Sequence, residues 1–153
     1  MQLKRAGQFL VGIVFIFLIT VLCKFRLGHL GYINLSAAAI MILCRFFDPA
    51  YAIILAGLPT ALADIVLQYS YYAPYTFIIK GIIGFLTALL SRKKKLKSIH
   101  CVLLGLLEVI GYLLADFYMF GRAMAVLGVR YSLIQFALSV SIVCVYNLIK
   151  KKV

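Results

Sequence analysis

The sequence predicts an all-α membrane protein of six transmembrane helices, with a cavity open to the outer face and both termini in the cytoplasm. Three observations carry this. With 65% hydrophobic residues and a mean hydropathy of +1.10 over 153 residues, the chain has too little polar surface to cover a water-soluble globule. The apolar residues fall in several runs separated by short polar punctuation, whereas a signal peptide would be one short N-terminal run ahead of a soluble domain. The cations gather at one set of run ends, which orients the chain in a bilayer. No linker or low-complexity stretch divides the sequence, so residues 1–153 are expected to form a single integral membrane domain.

Each helix is read from apolar runs and their breakers, at roughly residues 7–25, 36–47, 49–68, 74–91, 99–120 and 131–149. The first run is long enough to span. The segment that follows, "GHLGYINL", is polar and turn-prone. The second run has about a dozen residues, roughly 18 Å of helix against about 30 Å of hydrocarbon. It cannot cross as one straight span. Either it begins inside the membrane, with "GHLGYINL" folded down to meet it, or Asp48-Pro49 kinks a longer helical unit. Irregular backbone at membrane depth survives only where protein or a water-filled cavity satisfies its polar groups, so this stretch points to a cavity.

Six spans place both termini on one side. That side receives eleven cations: Lys4, Arg5, Arg45, Arg92, Lys93, Lys94, Lys95, Lys97 and Lys150 to Lys152. The opposite side receives four, Lys24, Arg26, Arg122 and Arg130. The positive-inside rule assigns the richer side to the cytoplasm. A formal net charge of +12 is thereby explained by the bilayer, with no nucleic acid as partner. The four cysteines lie within or at the ends of apolar runs and form no C-x-x-C pair, which reads as small buried hydrophobes. His29 and His100 fall on opposite sides of the membrane and cannot share a metal. No nucleophile elbow, zinc-helix or phosphate-loop motif appears, so neither an enzyme nor a cofactor is expected, and a transporter of this kind carries no motor of its own.

The four acidic residues are the informative ones. Three of them, Asp64, Glu108 and Asp116, fall inside predicted helices, where an unpaired charge costs at least about 2.5–3.5 kcal/mol at mid-span. Thr60, Asp64 and Gln68 make one polar stripe on the third helix, and Glu108, Tyr112 and Asp116 another on the fifth. Thr76, Lys80, Gly84 and Thr87 line the fourth helix, and Ser132, Gln135 and Ser139 the sixth. Counted from the outer helix ends, Asp64 and Asp116 lie roughly 6 Å deep, Lys80 roughly 9 Å and Glu108 about 18 Å. Asp64, Asp116 and Lys80 are therefore expected to share one level, with Tyr32, Asn34 and Tyr72 just above it. Such a convergence describes a small-molecule site with planar stacking surfaces. The competing structural reading is that Lys80 pairs with Asp64 or Asp116 as glue while the tyrosines form an interfacial belt.

The motifs "GYINL", "ALAD" at residues 61–64, "YAPYTFIIKG" at residues 72–81 and "GYLLADFYMFG", followed by Gln135, resemble the substrate-binding S component of energy-coupling factor (ECF) vitamin transporters. The likeness covers nearly the whole chain. It implies a prokaryotic plasma-membrane protein that captures a vitamin or precursor from outside and docks on a shared module of one coupling protein and two ATPases. It would then topple in the membrane to release its cargo inside. The expected binding residues are Tyr32, Asn34, Asp64, Tyr72, Lys80, Glu108, Tyr112, Asp116 and Gln135. Ser36-Ala37 stands where the family carries Gly-Asp, and Ser132 where it carries an amide, and both changes bear on substrate identity. Two carboxylates against one lysine leave the outer site near −1, which favours a neutral or weakly cationic B6 vitamer or thiamine precursor. The alternatives are a stand-alone transporter or channel, and an assembly protein without ligand.

Overall fold

The computed structural model describes residues 2–26, 32–93 and 96–152. Among the described residues six α-helices run in chain order: α1 (Gln2–Leu22), α2 (Ser36–Leu43), α3 (Pro49–Val66), α4 (Ala73–Lys93), α5 (Ser98–Phe120) and α6 (Arg122–Lys152). Five of these are long and apolar enough to cross a membrane, and α2 is the exception. A 3-10 turn, Cys44–Phe46, extends α2. Two-residue strands, β1 (Phe25–Arg26) and β2 (Tyr32–Ile33), pair antiparallel with Phe25 opposite Ile33. This hairpin was not foreseen in the sequence. It meets the requirement that extended backbone near lipid satisfy its own polar groups. Residues 28–31 of "GHLGYINL" lie outside the described residues.

The helix ends follow local chemistry. Pro49 opens α3, where its missing N–H costs nothing and its fixed φ suits the first turn. Past Val66, Gln68 takes a left-handed φ of 68°, and Tyr69 N–H returns to the Asp64 carbonyl at 2.8 Å. Gln68 thus leaves the stripe expected to continue from Thr60 and Asp64, and the turn swings the tyrosines of residues 69–72 over the end of α3. A single residue, Gly121, separates α5 from α6, at φ 81° and ψ −179°, a conformation open essentially to glycine alone. This corrects the expected start of the last helix at 131. Arg122 and Arg130 suggest a loop, but the intervening Ala, Met and Leu are strong helix formers and one glycine suffices for the reversal.

Packing depends on close approach. A Cβ at Gly84 would strike the Ala52 carbonyl and lie 2.7 Å from the Ala56 Cβ, which holds α3 and α4 together through small residues. Gly105 likewise leaves room for the Phe136 ring between α5 and α6. Ile16, Ile40, Met41, Leu55, Ile83 and Val143 form a fully buried core contributed by α1, α2, α3, α4 and α6.

Contacts along the bundle fix the place of α2. At one end Asn34 meets Gln135, and at the other Arg45 meets Asn147. Twelve residues of α6 separate these contacts, about 18 Å. The α2 unit therefore covers only part of the bundle's length and starts within it. Phe9 packs edge-on against Phe47 at 5.8 Å, so the start of α1, the end of α2 and the end of α6 share one end of the molecule.

Candidate functional site

At the opposite end, the turn after α3, the linker before α2, and the facing ends of α3, α4, α5 and α6 enclose a cavity of about 80 Å³. Tyr32, Asn34, Asp64, Tyr72, Tyr112, Asp116 and Gln135 line it, seven of the residues singled out in the sequence. Tyr69, Thr76, Gly128, Tyr131 and Ser132 complete the wall. Of these, Gly128 was hidden by reading residues 122–130 as a loop, and Tyr131 stood outside the polar stripe read on the last helix.

Two carboxylates face this space, each held by a phenol. Tyr32 donates to Asp64 Oδ1 at 2.5 Å, and Asp64 Oδ2 is buried without a partner. Tyr72 donates to Asp116 Oδ1. Burial, then the neighbouring Asp64, raises the Tyr32 phenol above its ordinary value; burial, then Asp116, does the same for Tyr72. Both phenols consequently stay protonated donors through the physiological range. The rings above them interlock. Tyr32 lies 5.3 Å from Tyr69, Tyr71 lies 5.0 Å from Tyr72, and Phe120 meets Tyr71 edge-on at 5.6 Å. On the far side α6 passes so near Asp116 that a Cβ on Gly128 would overlap its carboxylate.

Lys80 and Glu108 do not line the cavity. They form an ion pair beneath it, each 1% exposed. Glu108 Oε1 also accepts from Gln135 Nε2 at 2.5 Å, while Gln135 Oε1 accepts from the Asn34 backbone N–H at 3.0 Å. Asn34 Oδ1 in turn accepts from the Ser36 N–H at 2.8 Å. One network therefore ties α4, α5 and α6 to the linker before α2 and fixes which end of the Gln135 amide points where.

The shared level expected for Asp64, Asp116 and Lys80 is thus corrected. Between antiparallel α4 and α5 the polar side chains meet in rungs one turn apart: Tyr72 with Asp116, Thr76 with Tyr112 at 3.2 Å, and Lys80 with Glu108. Each step of four along α4 is matched by a step of four back along α5. Depth counted separately from each helix end ignores this register and the reach of a lysine stem, and it set Lys80 one or two turns too high. The short connection between the two helices carries the signal that would have found the pairing.

Residues 4–151 match the family model described as ECF-type riboflavin transporter, S component. The chain belongs to this family. No curated protein and no solved structure matches it. The S component is the substrate-binding subunit of its transporter, which is not an enzyme class, and its apolar helices make it a multi-pass membrane protein. Within this S component the matched span contains the cavity and the Lys80–Glu108 network alike. Among the described residues, no three His, Cys, Asp or Glu side chains come together to hold a metal.

Proposed function

We propose that this S component captures a small aromatic nitrogen heterocycle, a B6 vitamer or a thiamine precursor, from outside a prokaryotic cell. It then delivers the ligand with a coupling protein and two ATPases. The chain acts as one integral membrane domain with its termini in the cytoplasm, α2 serves as the sixth, partial crossing, and the cavity opens outward. The orientation is supported by the cation count and by the common end shared by α1 and α6.

The observation that carries the choice of substrate is the charge left at the cavity. Because Lys80 is consumed by Glu108, Asp64 and Asp116 face the ligand with phenols and, among the described residues lining the cavity, no cation. The cavity wall is more acidic than the sequence indicated, which disfavours phosphorylated compounds and favours a ring carrying amine or ring-nitrogen donors. The tyrosines supply stacking faces, and Asn34 and Gln135 supply polar contacts to the ring edge. Lys80 and Glu108 serve the site from below by orienting Gln135.

The test is binding of pyridoxine, pyridoxamine, hydroxymethylpyrimidine, thiamine and riboflavin to wild type and to Asp116→Asn, with mass spectrometry of co-purifying ligand. The proposal expects an amine-bearing heterocycle to bind most tightly and to lose at least about tenfold in affinity in the variant, as for a charge-assisted hydrogen bond. Preference for riboflavin, which the family model's description names, or indifference to Asp116→Asn, overturns the substrate assignment. ATP-independent accumulation driven by an ion gradient in vesicles overturns the role of the ATPase module.

A further inference from the structure

The end of the molecule remote from the cavity carries a second polar construction. Arg45, in the 3-10 turn after α2, donates through Nε to the Met41 carbonyl at 2.6 Å and through Nη1 to Asn147 Oδ1 at 2.7 Å. Asn147 Nδ2 donates onward to the Leu96 carbonyl at 3.2 Å. The guanidinium is therefore fixed in place, and its Nη2 is buried without a partner. Its carbon stands 5.5 Å from the centre of the Tyr146 ring. One turn further along α6, the Lys150 ammonium lies 5.9 Å from that ring and 5.2 Å from Phe46. Two cations thus converge on one aromatic ring.

Nothing acidic on a side chain of this protein compensates them. Asp64 and Asp116 are at the cavity, Glu108 is paired with Lys80 beneath it, and Asp48 pairs with Arg92. Cation–π contacts offset part of the repulsion between Arg45 and Lys150 but supply no negative charge. An anion from outside the chain would compensate them. Its source is indicated by the flanks: Phe46 is 62% exposed, and Leu148 and Ile149 are each 61% exposed, beside the polar cluster at the end of membrane-crossing helices. An anion bonded to the cations and continuous with apolar chains on those flanks is an acidic phospholipid, and basic pockets between helix ends at the lipid–water boundary suit such headgroups.

We propose that Arg45, Lys150 and Tyr146 form a binding site for the phosphate of an anionic phospholipid, with its acyl chains lying along Phe46 and Ile149. The exposed Lys150 bonds a phosphate oxygen, and the fixed Arg45 guanidinium adds its positive charge beside it. The bound lipid would clamp the end of α2 to α6 and so brace the short helix whose other end, through Asn34, helps form the cavity wall. This site needs only that its end of the bundle lies at a membrane surface, so it stands apart from the identity of the vitamin.

The test uses the full chain, delipidated in detergent, followed by native mass spectrometry during titration with phosphatidylglycerol, phosphatidylcholine or inorganic phosphate. Phosphatidylglycerol is expected to bind at least about fivefold more tightly than phosphatidylcholine, and Lys150→Gln to erase about that factor, as for one cation near an anionic headgroup. Arg45→Gln/Lys150→Gln should bind both lipids alike. Lys150 is exposed and makes no hydrogen bond that holds the fold, so its variant reports on the site even if the double variant fails to fold. Equal binding of the two lipids by wild type, or wild-type preference retained in Lys150→Gln, overturns the site. Binding of inorganic phosphate as tight as that of phosphatidylglycerol overturns the lipid as its source.

Discussion

Replacing Glu108 with leucine, and separately Lys80 with methionine, tests the buried pair that supports the cavity. Glu108→Leu leaves the Lys80 ammonium, 1% exposed, without its carboxylate. Lys80→Met likewise leaves the Glu108 carboxylate, 1% exposed, without its cation. Removing one member of a buried pair costs roughly 3–5 kcal/mol. Glu108→Leu also strips the acceptor from Gln135 Nε2, adding about 1–3 kcal/mol, so it is the costlier of the two. The double variant keeps the volume and removes both charges. Only the Gln135 amide then lacks its partner, and the expected loss shrinks to about 1–3 kcal/mol. The coupling energy from the cycle is therefore at least about 3 kcal/mol. The chain has no tryptophan, so unfolding is followed by circular dichroism in mixed micelles as denaturing detergent is added. Single variants within about 1 kcal/mol of wild type, or losses that simply add, would refute the pair as a coupled unit.

Two further outcomes follow from the cavity geometry. Gly128→Ala places a methyl where the Asp116 carboxylate sits, so ligand affinity should fall by at least about tenfold while α6, in which alanine is favoured over glycine, keeps its helicity; calorimetry with the cognate vitamin reads the first and circular dichroism the second. The raised Tyr32 and Tyr72 phenols keep their protons at pH values where an unfolded chain, with tyrosines near 10, releases them. The unfolded state then binds fewer protons than the folded one, so folding stability declines as pH climbs above about 10. Ultraviolet titration should show part of the tyrosines ionising later in the folded protein than in the denatured chain, and Tyr72→Phe should lessen the decline.

Much of this protein is written in its sequence because lipid is an exacting solvent. A chain that is 65% hydrophobic must bury its backbone bonds in helices, and a dozen apolar residues between "GYINL" and Asp48-Pro49 cannot make a full crossing wherever they sit. The cost of charge in hydrocarbon likewise singled out Asp64, Lys80, Glu108 and Asp116 before any contact was known. Stripes such as Glu108, Tyr112 and Asp116 were legible because a helix repeats its faces by local geometry alone. Partners were not legible. Whether Lys80 meets Asp64, Asp116 or Glu108 depends on the register between α4 and α5, which the glycine-mediated approach of neighbouring helices and the length of their connection set together. The same holds for Gly128, which has no side chain to announce its place beside Asp116, and for Arg45, whose distance of 102 residues from Asn147 no local pattern bridges. Local sequence determined which residues needed partners, since that need is a property of each side chain and its solvent. Only the packing of whole helices decided which partner each one received, because that choice minimises the energy of many contacts at once.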